Sequence, residues 1–136
     1  MKTRIFTLFA VCTLGSWQVL AQEDNTLSPA QEEVIRQIVR DIGQACTLPT
    51  TPAIPDGNAA TQEEMLSAQS TLKAYIESGN NYLGCLDALE KSWGEDASDT
   101  QKAVIVSVYN QTVERLQNQA KSFNESLKVF QAKSSN

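Results

Sequence analysis

The reactive side chains of this 136-residue sequence are 16 carboxylates and three cysteines, and histidine is absent. Without an imidazole the chain lacks the commonest general base, the commonest metal ligand and the usual physiological-pH switch. Glu63, Glu64, Asp87, Glu90, Glu95, Asp96 and Asp99 are numerous enough for a carboxylate-dependent hydrolase, in which one acid sits in an apolar pocket with a raised pKa while its partner stays ionised. Their positions at helix starts and on polar faces predict solvated charge instead. Glu95, Asp96 and Asp99 lie close enough in sequence to touch Ca2+, but the ligand pattern and glycine of an EF-hand are missing. The sequence therefore assigns no catalytic, cofactor-binding or metal-binding residue, and the chain reads as a non-enzyme.

The cysteines acquire a meaning once the first 21 residues are set aside. Lys2 and Arg4 form a positive n-region, residues 5–15 an apolar h-region, and Val19-Leu20-Ala21 places small residues at the minus-three and minus-one positions of a signal-peptidase site. Cleavage between Ala21 and Gln22 is expected. The apolar run is about 11 residues where a membrane span needs about 20, so no membrane association is expected after removal. Cys12 leaves with the signal, as do Lys2 and Arg4, so 11 basic residues become 9 against an unchanged 16 acidic, a net charge of −7. So acidic a surface repels phosphate backbones and excludes nucleic acid as a partner. Cys46 and Cys85 are then the two remaining thiols in a chain bound for an oxidising compartment, and a bridge between them is expected, two free buried thiols being the alternative. Their spacing is unlike a Cys-x-x-Cys redox pair, so the bridge reads as structural.

Three helical patterns must position these cysteines. Residues 22–27 are polar and aperiodic, a disordered N-terminus. Ser28-Pro29-Ala30-Gln31 is a capping box with proline at the first helical position, and it opens a helix over about 29–46. Val34, Ile35, Ile38, Val39, Ile42, Ala45 and Cys46 fall on one side of it, which predicts a single buried face. Pro49, Pro52 and Pro55 then forbid a helix or paired strand across a connector of residues 47–60. Their spacing also fits an SH3-type ligand, but a stiff connector running back along the next helix is the reading the geometry favours. Thr61 to Glu64 starts a helix over about 62–93, with Ala68, Leu72, Tyr75, Gly79, Tyr82, Leu86, Leu89 and Trp93 alternating at spacings of three and four. The register passes Gly79 without a phase change, so one continuous helix is expected despite Gly79-Asn80-Asn81. Ser98 caps a helix over about 99–132. There Ala103 to Tyr109 resembles a strand in composition, but Val106, Tyr109, Val113, Leu116, Ala120, Phe123, Leu127 and Phe130 keep helical register.

The expected fold is all-α: residues 28–136 form one domain, a long antiparallel helical hairpin with the shorter N-terminal helix packed on it and one disulfide. Aromatics at seam positions read as core, while Tyr75, Tyr82 or Tyr109 could also border a groove for an apolar ligand. Asn110-Gln111-Thr112 and Asn124-Glu125-Ser126 match glycosylation sequons, and helical placement argues against their use.

Cys46 with the proline arm to Asp56-Gly57, Met65, Tyr75, Tyr82-Leu83-x-Cys85, Tyr109-Asn110 and Phe123-Asn124 together resemble a group of small exported proteobacterial proteins of unknown function. The resemblance spans roughly residues 46–130. It implies a periplasmic setting and a shared Cys46 to Cys85 bridge, and it supplies no activity. Asn110 and Asn124, each beside a seam aromatic, are the positions where polar contacts within or between helices would lie. The function expected is that of a periplasmic protein-binding or envelope accessory factor with an unknown protein partner. A small apolar-ligand binder with a groove between the first helix and the hairpin is the alternative. Self-association is also expected to be open to it, because three helices need not cover both seams.

Overall fold

The computed structural model describes residues 27–135. The signal segment, its cleavage pair Ala21 and Gln22, and residues 22–26 lie outside the described residues. Three helices follow in order, α1 (Pro29–Ala45), α2 (Gln62–Trp93) and α3 (Asp99–Ser134), with no strand among the described residues.

Each helix starts where a reciprocal cap satisfies its orphan donors. Ser28 pairs with Gln31, Thr61 with Glu64 and Ser98 with Gln101, each through a side-chain bond to backbone in both directions. At α2 the Thr61 backbone N–H donates to the Glu64 carboxylate at 2.7 Å, and this bond, with a second from the Thr61 hydroxyl, holds the Glu64 carboxyl below its ordinary pKa. Gly94, with φ of 64°, ends α2 in a conformation that a side chain would strain. The next few residues turn the chain into α3, and α2 and α3 form the long antiparallel hairpin.

Two buried clusters fill this frame. At the turn end, Ile38, Ile42 and Cys46 of the first segment meet Tyr82, Leu86 and Ile105. Towards the open end, Met65, Leu72 and Tyr75 meet Leu116 and Phe123, with Ala60 closing the side. Gly79 is helical and buried between the two, and a Cβ there would collide with the Leu116 side chain. The missing side chain lets α3 approach, so Gly79 marks close packing rather than a break.

The sequence register is right for most of α3 and slips by one residue at its start. Ile105 is 2% exposed, whereas Val106, read as a seam residue, is 50% exposed. The turn-end third of α3 packs on α1 as well as on α2, which turns Ile105, Val108, Tyr109 and Thr112 inward and leaves Val106 outside. α1 ends one residue early, with Cys46 as its extended cap, and α3 runs two residues longer than expected.

The proline arm runs along the hairpin by a ladder of two matched periods. Gln119 Nε2 donates to the Pro52 carbonyl, Ser126 Oγ to the Pro55 carbonyl, and Lys133 Nζ to the Asn58 carbonyl at 2.8 Å. Seven residues of helix rise about 10.5 Å and three of extended chain about 9.3 Å, so donors spaced by seven meet carbonyls spaced by three. The arm's carbonyls are thereby turned onto α3, which fits the connector reading better than a displayed SH3 ligand. Asp56 closes the arm, its carboxylate accepting from the Asn58 N–H at 2.9 Å and its carbonyl from the Ala60 N–H at 2.8 Å.

Gly57 lies where arm and α3 touch. A Cβ there would overlap the Ser126 carbonyl and stand 2.9 Å from the Phe130 nitrogen, both backbone atoms that cannot rotate away. Gly57→Ala is expected to lift the arm and destabilise the fold by about 1–3 kcal/mol in a thermal melt. Gly84→Ala, exposed with nothing within 4 Å of its Cβ, is expected to be neutral or stabilising by up to about 1 kcal/mol. Equal melts for the two variants would contradict the close approach.

Candidate functional site, a groove between α1 and α3

The apolar arc of α1 is wider than its contact with the hairpin. Ile38 and Ile42 are 7% and 2% exposed, but Val34 and Val39, expected on the same buried face, are 51% and 48% exposed. Leu27, placed by sequence in a frayed tail, packs beside them at 51% exposure. These three side chains, with half-buried Ile35, form one wall of an open groove of about 850 Å3. The other wall is the first part of α3, where Ala103, Val104 and Val108 supply the apolar floor. Asp99 is the one charged residue on either wall; Gln31, Ser107 and Gln111 make the rim polar and neutral.

The charges of α1 are carried on its outer side. Arg40 and Arg36 both hold the Glu33 carboxylate at 2.9 Å, and these bonds, Arg40's first, keep the Glu33 carboxyl below its ordinary pKa. These exposed pairs stabilise the helix little, but they keep charge away from the groove.

The bridge fixes the groove's α1 wall. Cys46 and Cys85 are bonded, with Cα atoms 5.8 Å apart and a sequence separation of 39. Cys46 is 2% exposed and belongs to the turn-end core. Its N–H still bonds the Ile42 carbonyl at 2.8 Å, so the bond anchors the C-terminus of α1 directly onto α2.

A second cleft, of about 630 Å3, opens between the arm and α2. Tyr75 and Tyr82 line it, as a ligand groove would require, but they are 5% and 6% exposed and form its floor. The Tyr75 hydroxyl lies 3.4 Å from Thr51, while burial raises the Tyr82 phenol's pKa against the opposing pull of Arg115. Tyr109 lines neither of these clefts. The tyrosines therefore do not border the space between α1 and the hairpin, where the sequence placed an apolar ligand.

The described carboxylates all keep their access to water. Every described Asp and Glu is exposed, and both resolved carboxyl shifts run downward, opposite to what a general acid at neutral pH needs. Among the described residues no group of three His, Cys, Asp or Glu side chains could hold a metal ion, and no helix is long and apolar enough to cross a membrane. Asn110 and Asn124 are exposed and make no side-chain hydrogen bond within the described residues, so neither serves as an interhelical contact. Both sequon hydroxyls are engaged internally, Thr112 with the Val108 carbonyl at 2.8 Å and Ser126 with the arm.

No protein family, curated protein or solved structure gives a significant match to this chain.

Proposed function

We propose that this protein is a non-enzymatic periplasmic binding factor whose groove between α1 and α3 receives an amphipathic helix of another envelope protein. The observation that carries the reading is an unpartnered apolar wall, Leu27 just before α1 with Val34 and Val39 on it, facing the apolar floor of α3 across an open groove. Its walls, residues 27–39 and 99–111, are each about 18 Å long at helical rise, which suits a guest helix of three to four turns. A neutral rim with Asp99 alone for charge favours a guest whose inserted stripe is apolar and uncharged at spacings of i, i+4 and i+7. An open trough fits a helix better than a small ligand, which is ordinarily enclosed over most of its surface. The predicted signal segment, the bridge and the resemblance to small exported proteobacterial proteins support the periplasmic setting.

A photoreactive residue placed at Val34 or Val39 in the native envelope tests this. Cross-links to one protein, at positions spaced as one face of a helix and absent when the probe stands at Thr50, are expected. Adducts that form equally from Thr50, or that join only copies of this chain through Val34, would contradict the proposal.

A further inference from the structure

The hairpin has a face whose two hollows are lined by residues of α2 and α3 alone, and it carries its own pattern. On α2 the residues next to the seam on that side are Leu66, Gln69, Lys73, Ile76, Asn80, Leu83, Asp87 and Glu90, spaced by three and four throughout. Two hollows lie along this stripe. One, of about 590 Å3 near the open end, is bordered by Leu66, Lys73, Ile76 and Phe123. The other, of about 210 Å3 near the turn, is bordered by Asp87, Glu90, Val106 and Tyr109. Each hollow has an exposed apolar knob beside it, Leu66 at 59% and Val106 at 50%. Charge is divided in the same way, cationic at the first hollow and anionic at the second. Among the described residues Lys73, Asp87 and Glu90 make no ion pair, and the pairs formed involve Arg36, Arg40 and Lys121.

We infer that this face is the interface of a homodimer in which the α2 helices of two copies pack antiparallel about a two-fold axis at Asn80. Antiparallel docking is the arrangement that brings unlike charges together. With residue numbers across the axis summing to about 160, Lys73 of each copy meets Asp87 of the other, Gln69 meets Glu90, and Ile76 meets Leu83. An isologous contact requires such a self-complementary patch, with every element used twice. Asn80, exposed on the bare stripe, meets its own copy on the axis, where paired amides specify register as a polar residue in a coiled-coil seam does. A parallel arrangement would stack Lys73 on Lys73 and Asp87 on Asp87, which like-charge repulsion disfavours. This contact uses none of the groove residues, so it stands independently of the proposed function.

Sedimentation equilibrium of the mature protein at tens of micromolar, in moderate salt, is expected to return twice the chain mass. Lys73→Glu is expected to weaken the dimer about tenfold or more, and Asn80→Lys, which sets two like charges on the axis, to give monomer. Lys73, Asn80 and Asp87 are exposed, so far-UV circular dichroism is expected to stay unchanged in each variant. The double variant Lys73→Glu, Asp87→Lys restores opposite charges across the axis and is expected to recover the dimer. A wild-type monomer at a hundred micromolar, or a doubled mass that survives both Lys73→Glu and Asn80→Lys, would overturn the inference.

Discussion

Replacing both bridge cysteines, Cys46→Ala with Cys85→Ala, is expected to lower the melting temperature by roughly 15 °C. The bond closes a loop of 39 residues, whose chain-entropy cost in the unfolded state corresponds to about 4 kcal/mol in the loop model. That is a large share of the 5–15 kcal/mol by which a domain of this size is stable. The native structure makes the loss local. α1 buries only Ile38 and Ile42, with Cys46 at its cap, so the bridge and three core side chains tie it to the hairpin. Without the bond, α1 is expected to detach before the hairpin melts, so circular dichroism would show an early loss of helix followed by the main transition. Reductant should reproduce the result in the wild-type chain. A melt unchanged by either treatment would show that the apolar contacts of α1 hold it unaided.

Leu86→Ala is expected to cost about 4 kcal/mol, within the 2–5 kcal/mol range for emptying a packed leucine site. Leu86, at 1% exposure, is the most deeply buried large side chain among the described residues. It sits where all three helices meet, beside Ile42, Cys46 and Ile105. The surrounding elements are held by the bridge and cannot easily collapse into the cavity, which places the cost in the upper part of the range. Leu48→Ala in the arm, at 45% exposure, removes the same atoms from a half-solvated site and is expected to cost under about 1 kcal/mol. Equal costs in denaturant unfolding would mean that the turn-end cluster is not the core.

Most of the frame was legible because each local signal agreed with the next. Three capping boxes marked the helix starts. The seam register carried α2 through Gly79-Asn80-Asn81 and outweighed the strand-like composition of Ala103 to Tyr109. Cys46 and Cys85, the pair expected once the first 21 residues are set aside, are bonded. What could not be read was where elements meet at the level of single residues. Ile105 and Val106 are equally apolar, and the choice between them depends on the side from which α1 approaches. Val34 and Val39 sit within an apolar arc whose width was visible, yet the sequence does not say how much of that arc the hairpin covers. The arm ladder is present as two periods, seven on α3 and three in the prolines, but nothing local says which stripe of α3 receives it. Gly57 reads as an ordinary turn glycine until the Ser126 and Phe130 backbone is placed against it.

Both surfaces proposed as binding sites follow from the same incompleteness. A 17-residue α1 cannot cover a hairpin whose helices have 32 and 36 residues. The arm covers part of the remainder through hydrogen bonds to its backbone and through Ile54 and Ala60, which pack on the open-end cluster. Apolar surface is therefore left beside α1 and on the far face of the hairpin, each with its own charge pattern.

Export of the chain with an oxidised bridge between its first helix and the hairpin is tested most directly by the intact mass of protein recovered from the periplasm after alkylation without reductant. The predicted species begins at Gln22, carries no alkyl group, and yields Cys46 and Cys85 in one linked peptide pair on digestion. A species that retains residues 1–21, or that takes up two alkyl groups at Cys46 and Cys85, would contradict it.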